Sequence, residues 1–312
     1  MSDRIVLALG GNAILTDDAS AAAQRRALYK ASSQLCELVK RGDELVIAHG
    51  NGPQVGNLYL QQKAVDSRKN PAMPMDTCVA MTQGSIGYWL QNAFYEALDQ
   101  VGLRKNVVSL VTQVEVDERD QAFSHPTKPI GPFLTEEEAR EAMEKEGGCY
   151  VEDSGRGWRK VVPSPKPVNI VEFPAVRQLV NRDNIVICGG GGGIPVVRSQ
   201  AGYKGMEAVI DKDLAAEKLA ELIDADILLI LTGVSRVCVN YNKPGQQELE
   251  CVTTEQLKQY IEEKQFPEGS MLPKIQAAIR FVESGTKKKA IITSIDQLGG
   301  IGQGAGTEII AS

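Results

Sequence analysis

The sequence predicts a three-layer α/β/α fold, an open and mostly parallel sheet with helices on both faces and one protruding insertion. Three observations carry that expectation. Short β-branched or aliphatic runs recur at residues 5–9, 45–48, 107–111, 185–188, 227–231 and 290–293, and such runs read as strands buried on both faces. Segments of helical period separate them, as in a parallel α/β sheet. A stretch from about 114 to 167 breaks the alternation with prolines 126, 129, 132, 163, 165 and 167 and several glycines.

The helices follow in order. Ala23, Ala27, Ala31, Leu35 and Leu38 share one stripe, closed by Lys40, Arg41 and Gly42, basic residues and a glycine being common helix stops. Ile86, Leu90, Ala93, Ala97 and Val101 form a second, in which Trp89 and Phe94 read as core or interface residues. Leu214, Leu219, Leu222 and Ile223 form a third, and Ile275, Ala278, Ile279 and Val282 a fourth that stops at Gly285. Within the insertion, Thr135 and Glu138 have capping-box spacing and predict one short helix. The whole chain, 1–312, reads as one domain, with 114–167 as its inserted subdomain.

Composition excludes several functions. A hydrophobic share of 43% supports a sizeable core, and 40 acidic against 34 basic residues give a net charge of −6. That balance gives no general attraction to nucleic acid or an acidic membrane face. No run approaches the roughly 20 apolar residues of a membrane helix. The six cysteines form no C-x-x-C pair, and with two histidines they offer no zinc-ligand spacing. A reduced, cytoplasmic setting is expected, with no metal held by the chain itself.

In an open α/β sheet, ligands bind beyond the carboxyl ends of the strands. Glycines cluster there: Gly10-Gly11-Asn12 after the first run, His49-Gly50-Asn51-Gly52 after the second, and five consecutive glycines, 189–193, after the fourth. Backbone amides in such loops can cradle an anion, so three on one edge predict a phosphate-bearing ligand. No G-x-x-x-x-G-K-[ST] loop exists, and the glycines at 302, 304 and 306 neither follow the first strand nor open a long helix. Lys212, after Asp211, and Lys274, after Pro273, begin the third and fourth helices. A lysine in a first turn opposes the helix dipole by a few tenths of a kcal/mol or more, which an anion bound there would offset. His49 reads as a buried structural residue.

With those residues located, the chain resembles the carbamate kinases of the amino-acid-kinase family over its whole length. The resemblance rests on residues 8–13 (ALGGNA), 49–56 (HGNGPQVG), 83–88 (QGSIGY), 126–131 (PTKPIG), 164–167 (SPKP), 190–196 (GGGGIPV), 207–214 (EAVIDKDL) and 269–274 (GSMLPK). Ala8 stands where acetylglutamate kinases carry lysine, and with Lys128 it favours the carbamate kinase branch; Gly233 and Val79 depart from the family pattern. The resemblance implies reversible phosphoryl transfer between carbamoyl phosphate with ADP and carbamate with ATP. Its catalytic residues would be Lys128, Lys212, Asp213 and Lys274. Gly10, Gly11, Asn12, Gly50, Asn51 and Gly52 would bind the substrate; Lys212, Thr232, Val237, Tyr241, Pro244, Met271 and Lys274 would bind the nucleotide. Mg²⁺ would ride on the nucleotide phosphates. A role in arginine or purine-derivative breakdown and a homodimer through the helix at 86–101 are also implied. Because Lys128 sits on a loop flanked by proline and glycine, the insertion is expected to move toward the nucleotide when substrates bind. The alternatives are a kinase of the same fold for another small acid or phosphate, and a nucleotide-sensing relative without turnover.

Overall fold

A computed structural model describes residues 2–10, 14, 18–153 and 155–312. All six predicted runs become strands of one eight-stranded sheet. In spatial order these are Cys251–Thr253, Thr307–Ile310, Lys289–Ser294, Ile227–Thr232, Arg4–Leu9, Glu44–His49, Ile185–Ile187 and Val107–Ser109. Pairing is parallel throughout except between Lys289–Ser294 and Thr307–Ile310.

Among the described residues eight α-helices surround the sheets: α1 (Ala21–Lys40), α2 (Gly52–Ala64), α3 (Met75–Gln100), α4 (Glu136–Glu146), α5 (Phe173–Val180), α6 (Lys212–Leu222), α7 (Thr254–Glu262) and α8 (Met271–Glu283). Because strand side chains alternate, Arg4–Leu9 serves both layers. Ile5, Leu7 and Leu9 pack with Leu28 and Leu35 of α1 and with Ile86, Leu90 and Phe94 of α3. Val6 and Ala8 face the opposite way, toward Ala216 and Ala220 of α6 and Ile275 of α8. Burying one such Leu or Ile contributes about 1.5–3 kcal/mol, and Leu7→Ala would cost about 2–5 kcal/mol through the cavity it leaves.

Helix α6 departs from the predicted stripe. Its buried face is Asp213, Ala215, Ala216, Glu217, Leu219 and Ala220, whereas Leu214 and Leu222 are only partly buried. Small alanines let this helix sit close against both the sheet and α8. Helix α8 begins at Met271, two residues before Pro273. The proline still falls in the first turn, where a missing N–H costs nothing.

Residues 114–167 supply no strand to the eight-stranded sheet. They contribute to two smaller sheets, one ordered Gly202–Gly205, Ile194–Ser199, Gln113–Val116, Pro167–Ile170, the other Lys128–Leu134, Trp158–Val162, Cys149–Glu152. Their prolines hid these strands from the periodicity. Pro129 and Pro132 are tolerated because Lys128–Leu134 is an edge strand, paired on one side only. Helix α4 carries the predicted capping box, with the Thr135 hydroxyl accepting from the Glu138 amide and the Glu138 carboxylate accepting from the Thr135 amide. Among the described residues no helix is long and apolar enough to cross a membrane, and the six cysteines are free.

Candidate active site

The parallel register aligns the carboxyl ends of the central strands. Leu9 pairs with His49, Ala8 with Ile230, and the Gly50 amide donates to the Leu9 carbonyl at 3.0 Å. The loops that follow therefore open on one edge, and three cavities lie along it.

The first, about 270 Å³, is lined by Gly50, Asn51, Gly52, Lys128, Arg159, Gly191 and Lys212 among others. The second, about 380 Å³, is lined by Gly10, Lys212, Thr232, Gly233, Gly269, Ser270 and Lys274 with the loop at 294–296. The third, about 310 Å³, holds Thr232, Arg236, Cys238, Tyr241, Phe266, Met271 and Lys274. Lys212 lines both of the first two; Thr232 and Lys274 line both of the last two. The cavities thus form a chain, with a cation at each junction.

Two carboxylates organise those cations. Asp213, 2% exposed, accepts Lys212 Nζ at 2.9 Å on one oxygen and Lys274 Nζ at 3.1 Å on the other. Asp211 caps α6 by accepting the Asp213 amide at 2.9 Å and takes Lys128 Nζ at 2.6 Å on its second oxygen. Burial alone would push Asp211 up, but Lys128 and Lys212 hold its carboxyl well below the usual range. Lys212 also resists burial, kept above its ordinary value by Asp213 and Asp211. Burial and the Lys212 charge pull Lys274 down. The dipole cost expected of a lysine opening α6 is therefore offset inside the protein, by Asp213 in the same turn. A bound anion is not needed to explain its position.

Most predicted residues meet at this edge. Lys128, Gly50, Asn51 and Gly52 line the first cavity; Lys212, Lys274 and Gly10 line the second; Thr232, Tyr241, Met271 and Lys274 line the third. Gly11 and Asn12 lie outside the described residues. Two nucleotide-site expectations are corrected. Val237 is fully buried in the core, its amide donating to the Thr307 hydroxyl, and strand alternation gives the cavity Cys238 instead. Pro244 sits exposed in the turn beyond Tyr241 and lines none of the three cavities.

The glycine run at 189–193 also differs from the expected amide cradle. Of these glycines Gly191 alone lines one of the three cavities described, and a Cβ there would lie 2.2 Å from Asn51 Nδ2. With φ at +67° the position favours glycine twice over. The run lets one loop press on another, and Asn51 donates from beneath it to the Thr82 hydroxyl at 2.7 Å. His49 supports the same packing: it is 1% exposed, against the Gly50 carbonyl, and burial drives its imidazole down to about 4. It is neutral at pH 7.

Sequence reasoning did not single out Arg159, Asp211 as the partner of Lys128, Arg236, Cys238 or Phe266. Nothing in the local pattern separates Arg159 from Arg156 or Lys160; only the pairing of Trp158–Val162 with Lys128–Leu134 sets it against Gly131 and brings it to the cavity that Lys128 lines. Asp211 was legible as a cap, but its second partner comes from 83 residues away.

The family model "Amino acid kinase family" matches residues 3–294. Carbamate kinase 1 of Enterococcus faecium is 59% identical over 312 residues, covering 100% of this chain and 99% of its own. The carbamate kinase of Lentilactobacillus hilgardii is 56% identical over 311 residues, 99% of this chain and 98% of its own. Among solved structures, the Giardia lamblia carbamate kinase bound to AMP-PNP superposes with a TM-score of 0.91 at 42% identity, covering 100% of this chain and 99% of that one. The same enzyme bound to citric acid gives a TM-score of 0.93 at 40% identity, with the same coverage. Full-length similarity of this degree, on a chain whose cavities meet at paired lysines, places the protein: it is a phosphotransferase that belongs to the amino acid kinase family, among its carbamate kinases.

Proposed function

We propose that the protein transfers a phosphoryl group between carbamoyl phosphate with ADP and carbamate with ATP, and that in the cell it runs toward ATP. The observation that carries this reading is the junction lysine. Lys212 borders both the cavity floored by Gly50–Gly52 and the cavity that leads to Thr232 and Met271. Carbamoyl phosphate would occupy the first, the ADP phosphates the second, and adenine and ribose the third, beside Tyr241, Phe266 and Met271.

The chemistry asks little of the protein beyond alignment and neutralisation. Carbamate is already an anion, so no base has to deprotonate it. Lys212 and Lys274, fixed by one shared carboxylate, would stabilise the transferring group from the side of the main sheet, and Lys128 would reach over the carbamate end. Because both lysines are preorganised by Asp213, little reorganisation is needed when charge develops. Asp211 and Asp213 are each engaged by ammonium groups, and no cluster of three His, Cys, Asp or Glu that could hold a metal occurs among the described residues. That donor set fits Mg²⁺ bound mainly through nucleotide phosphates, where it would neutralise their charge. Asp211 and Asp213 are each held by lysines and His49 is buried and neutral, and in this reading the phosphoryl group passes directly from one substrate to the other.

In the same reading residues 114–167 form a protruding subdomain that carries Lys128 and closes on substrate. The protein is cytoplasmic, pairs as a homodimer through α3, and serves arginine or purine-derivative catabolism. Support for the dimer face is Tyr88 and Tyr95, 57% and 46% exposed on one side of α3. A luciferase-coupled assay with carbamoyl phosphate, ADP and Mg²⁺ tests the activity. ATP above the enzyme-free control is expected; none, alongside turnover of acetylglutamate or another small acid, refutes it.

A further inference from the structure

The carbamoyl phosphate cavity has a second cation on the wall built by the three-stranded sheet. Arg159 lies in Trp158–Val162, lines the cavity with Lys128 and Lys212, and is 15% exposed. Two contacts fix its guanidinium: Nε donates to the Gly131 carbonyl at 3.1 Å and Nη1 donates to Asp153 at 3.3 Å. The Phe133 ring lies 5.2 Å beneath it, a cation–π distance. A guanidinium carries five N–H groups, and the remaining ones have no hydrogen-bond partner among the described residues.

The lining of the cavity is cationic. No acidic residue lines this cavity. Asp153 is shared between Arg159 and Arg156, and Asp211 and Asp213 serve Lys128, Lys212 and Lys274. The lining itself thus presents three cations, Lys128, Arg159 and Lys212, and no carboxylate, a wall suited to an anionic acyl phosphate. Placement of Arg159 also depends on docking of the sheet. The carbonyl that holds its Nε belongs to Gly131, whose backbone lies against Gly56 of α2 so closely that a Cβ on Gly56 would fall 2.1 Å from the Gly131 nitrogen.

We propose that Arg159 binds substrate directly: the unfilled edge of its guanidinium receives the anionic oxygens of carbamoyl phosphate, or of carbamate in the reverse direction, and helps set affinity for that substrate alone. This rests on the activity proposed above. A planar fork matches a carboxylate or phosphoryl group with two parallel hydrogen bonds, which a lysine cannot reproduce.

The test is kinetic, on Arg159→Gln, Arg159→Lys and Asp153→Asn, with each substrate varied in turn, ADP affinity measured by calorimetry, and Tm recorded. Arg159→Gln is expected to raise KM for carbamoyl phosphate about 10- to 100-fold, the scale of a lost charged hydrogen bond. KM and Kd for ADP should stay within about twofold. Arg159→Lys should fall between, and Asp153→Asn should change KM for carbamoyl phosphate less than Arg159→Gln does. An unchanged KM for carbamoyl phosphate in Arg159→Gln overturns the inference, as does an equal defect in Asp153→Asn with a matching fall in Tm, which marks Arg159 as a structural staple. Should Arg159→Gln fail to fold, Arg159→Lys decides: a rise confined to carbamoyl phosphate supports the inference, and no rise, or a rise for both substrates, overturns it. Wild-type protein that forms no ATP refutes the activity itself, a result separable from an active wild type with an indifferent Arg159.

Discussion

Replacing Lys212 with methionine removes one charge from the junction of two cavities and, at the same time, one partner of a buried carboxylate. The two effects can be sized separately. Asp213 is 2% exposed and accepts Lys212 at 2.9 Å and Lys274 at 3.1 Å. Removing the sole partner of a buried charge costs about 3–5 kcal/mol. Asp213 keeps Lys274, so Lys212→Met should cost less, about 1–2 kcal/mol, seen as a lower urea midpoint with an unchanged slope. Turnover should fall by on the order of a hundredfold or more, as when one preorganised electrostatic group is lost. The helix-dipole argument taken alone predicts the opposite sign for stability, since a methionine would relieve an unfavourable charge. Measuring kcat by ATP formation and the urea midpoint on one preparation separates these cases. Wild-type turnover refutes the role of Lys212, and a raised midpoint refutes the claim that Asp213 needs both lysines.

Gly56→Ala should push the three-stranded sheet off α2, because its Cβ would sit 2.1 and 2.2 Å from Gly131 backbone atoms; KM for carbamoyl phosphate should rise on the order of tenfold while ADP affinity by calorimetry holds. Hydrogen exchange at 124–132 should slow when carbamoyl phosphate and ADP are added together, and exchange indifferent to both speaks against closure of the insertion. Burial depresses His49 to about 4, below its unfolded value near 6.5, so the stability of its neutral form is complete above about pH 6.5 and lost as pH falls toward 4; His49→Asn should flatten that part of the urea-midpoint profile. Burial raises Glu217 to about 7, above its unfolded 4.5, so its contribution is complete below about pH 4.5 and lost as pH rises through 7. Glu217→Gln should accordingly stabilise the protein at pH 8 more than at pH 5, by about 2–3 kcal/mol, and an equal effect at both pH values would contradict the assignment.

The main sheet was legible because its strands are buried on both faces and so read as unbroken apolar runs. The strands within 114–167 were not, since Pro129 and Pro132 occupy an edge strand and interrupt the signal a short strand carries. Cys251–Thr253 and Thr307–Ile310 were missed for their brevity. At the site, Lys128, Lys212, Asp213 and Lys274 stood out through motif and helix position, but their mutual pairing did not, because Asp211 and Asp213 gather partners 83 and 61 residues away. Val237 was misassigned because the motif carries no phase of alternation: within Val237–Val239 it is Cys238 that faces the cavity and Val237 the core. The glycines at 189–193 carried a true signal with a different cause, since loop-on-loop packing demands the same absent Cβ as a phosphate would.

Direct transfer past Lys212 is the central claim, and a rapid-quench experiment tests it. Wild-type protein mixed with ADP, Mg²⁺ and carbamoyl phosphate labelled on phosphorus should pass label straight into the γ-position of ATP, with none on acid-precipitated protein at any time. Lys212→Met should show the same course slowed on the order of a hundredfold or more. Label accumulating on the protein before ATP appears, or ATP forming at the same rate in both proteins, would contradict the account.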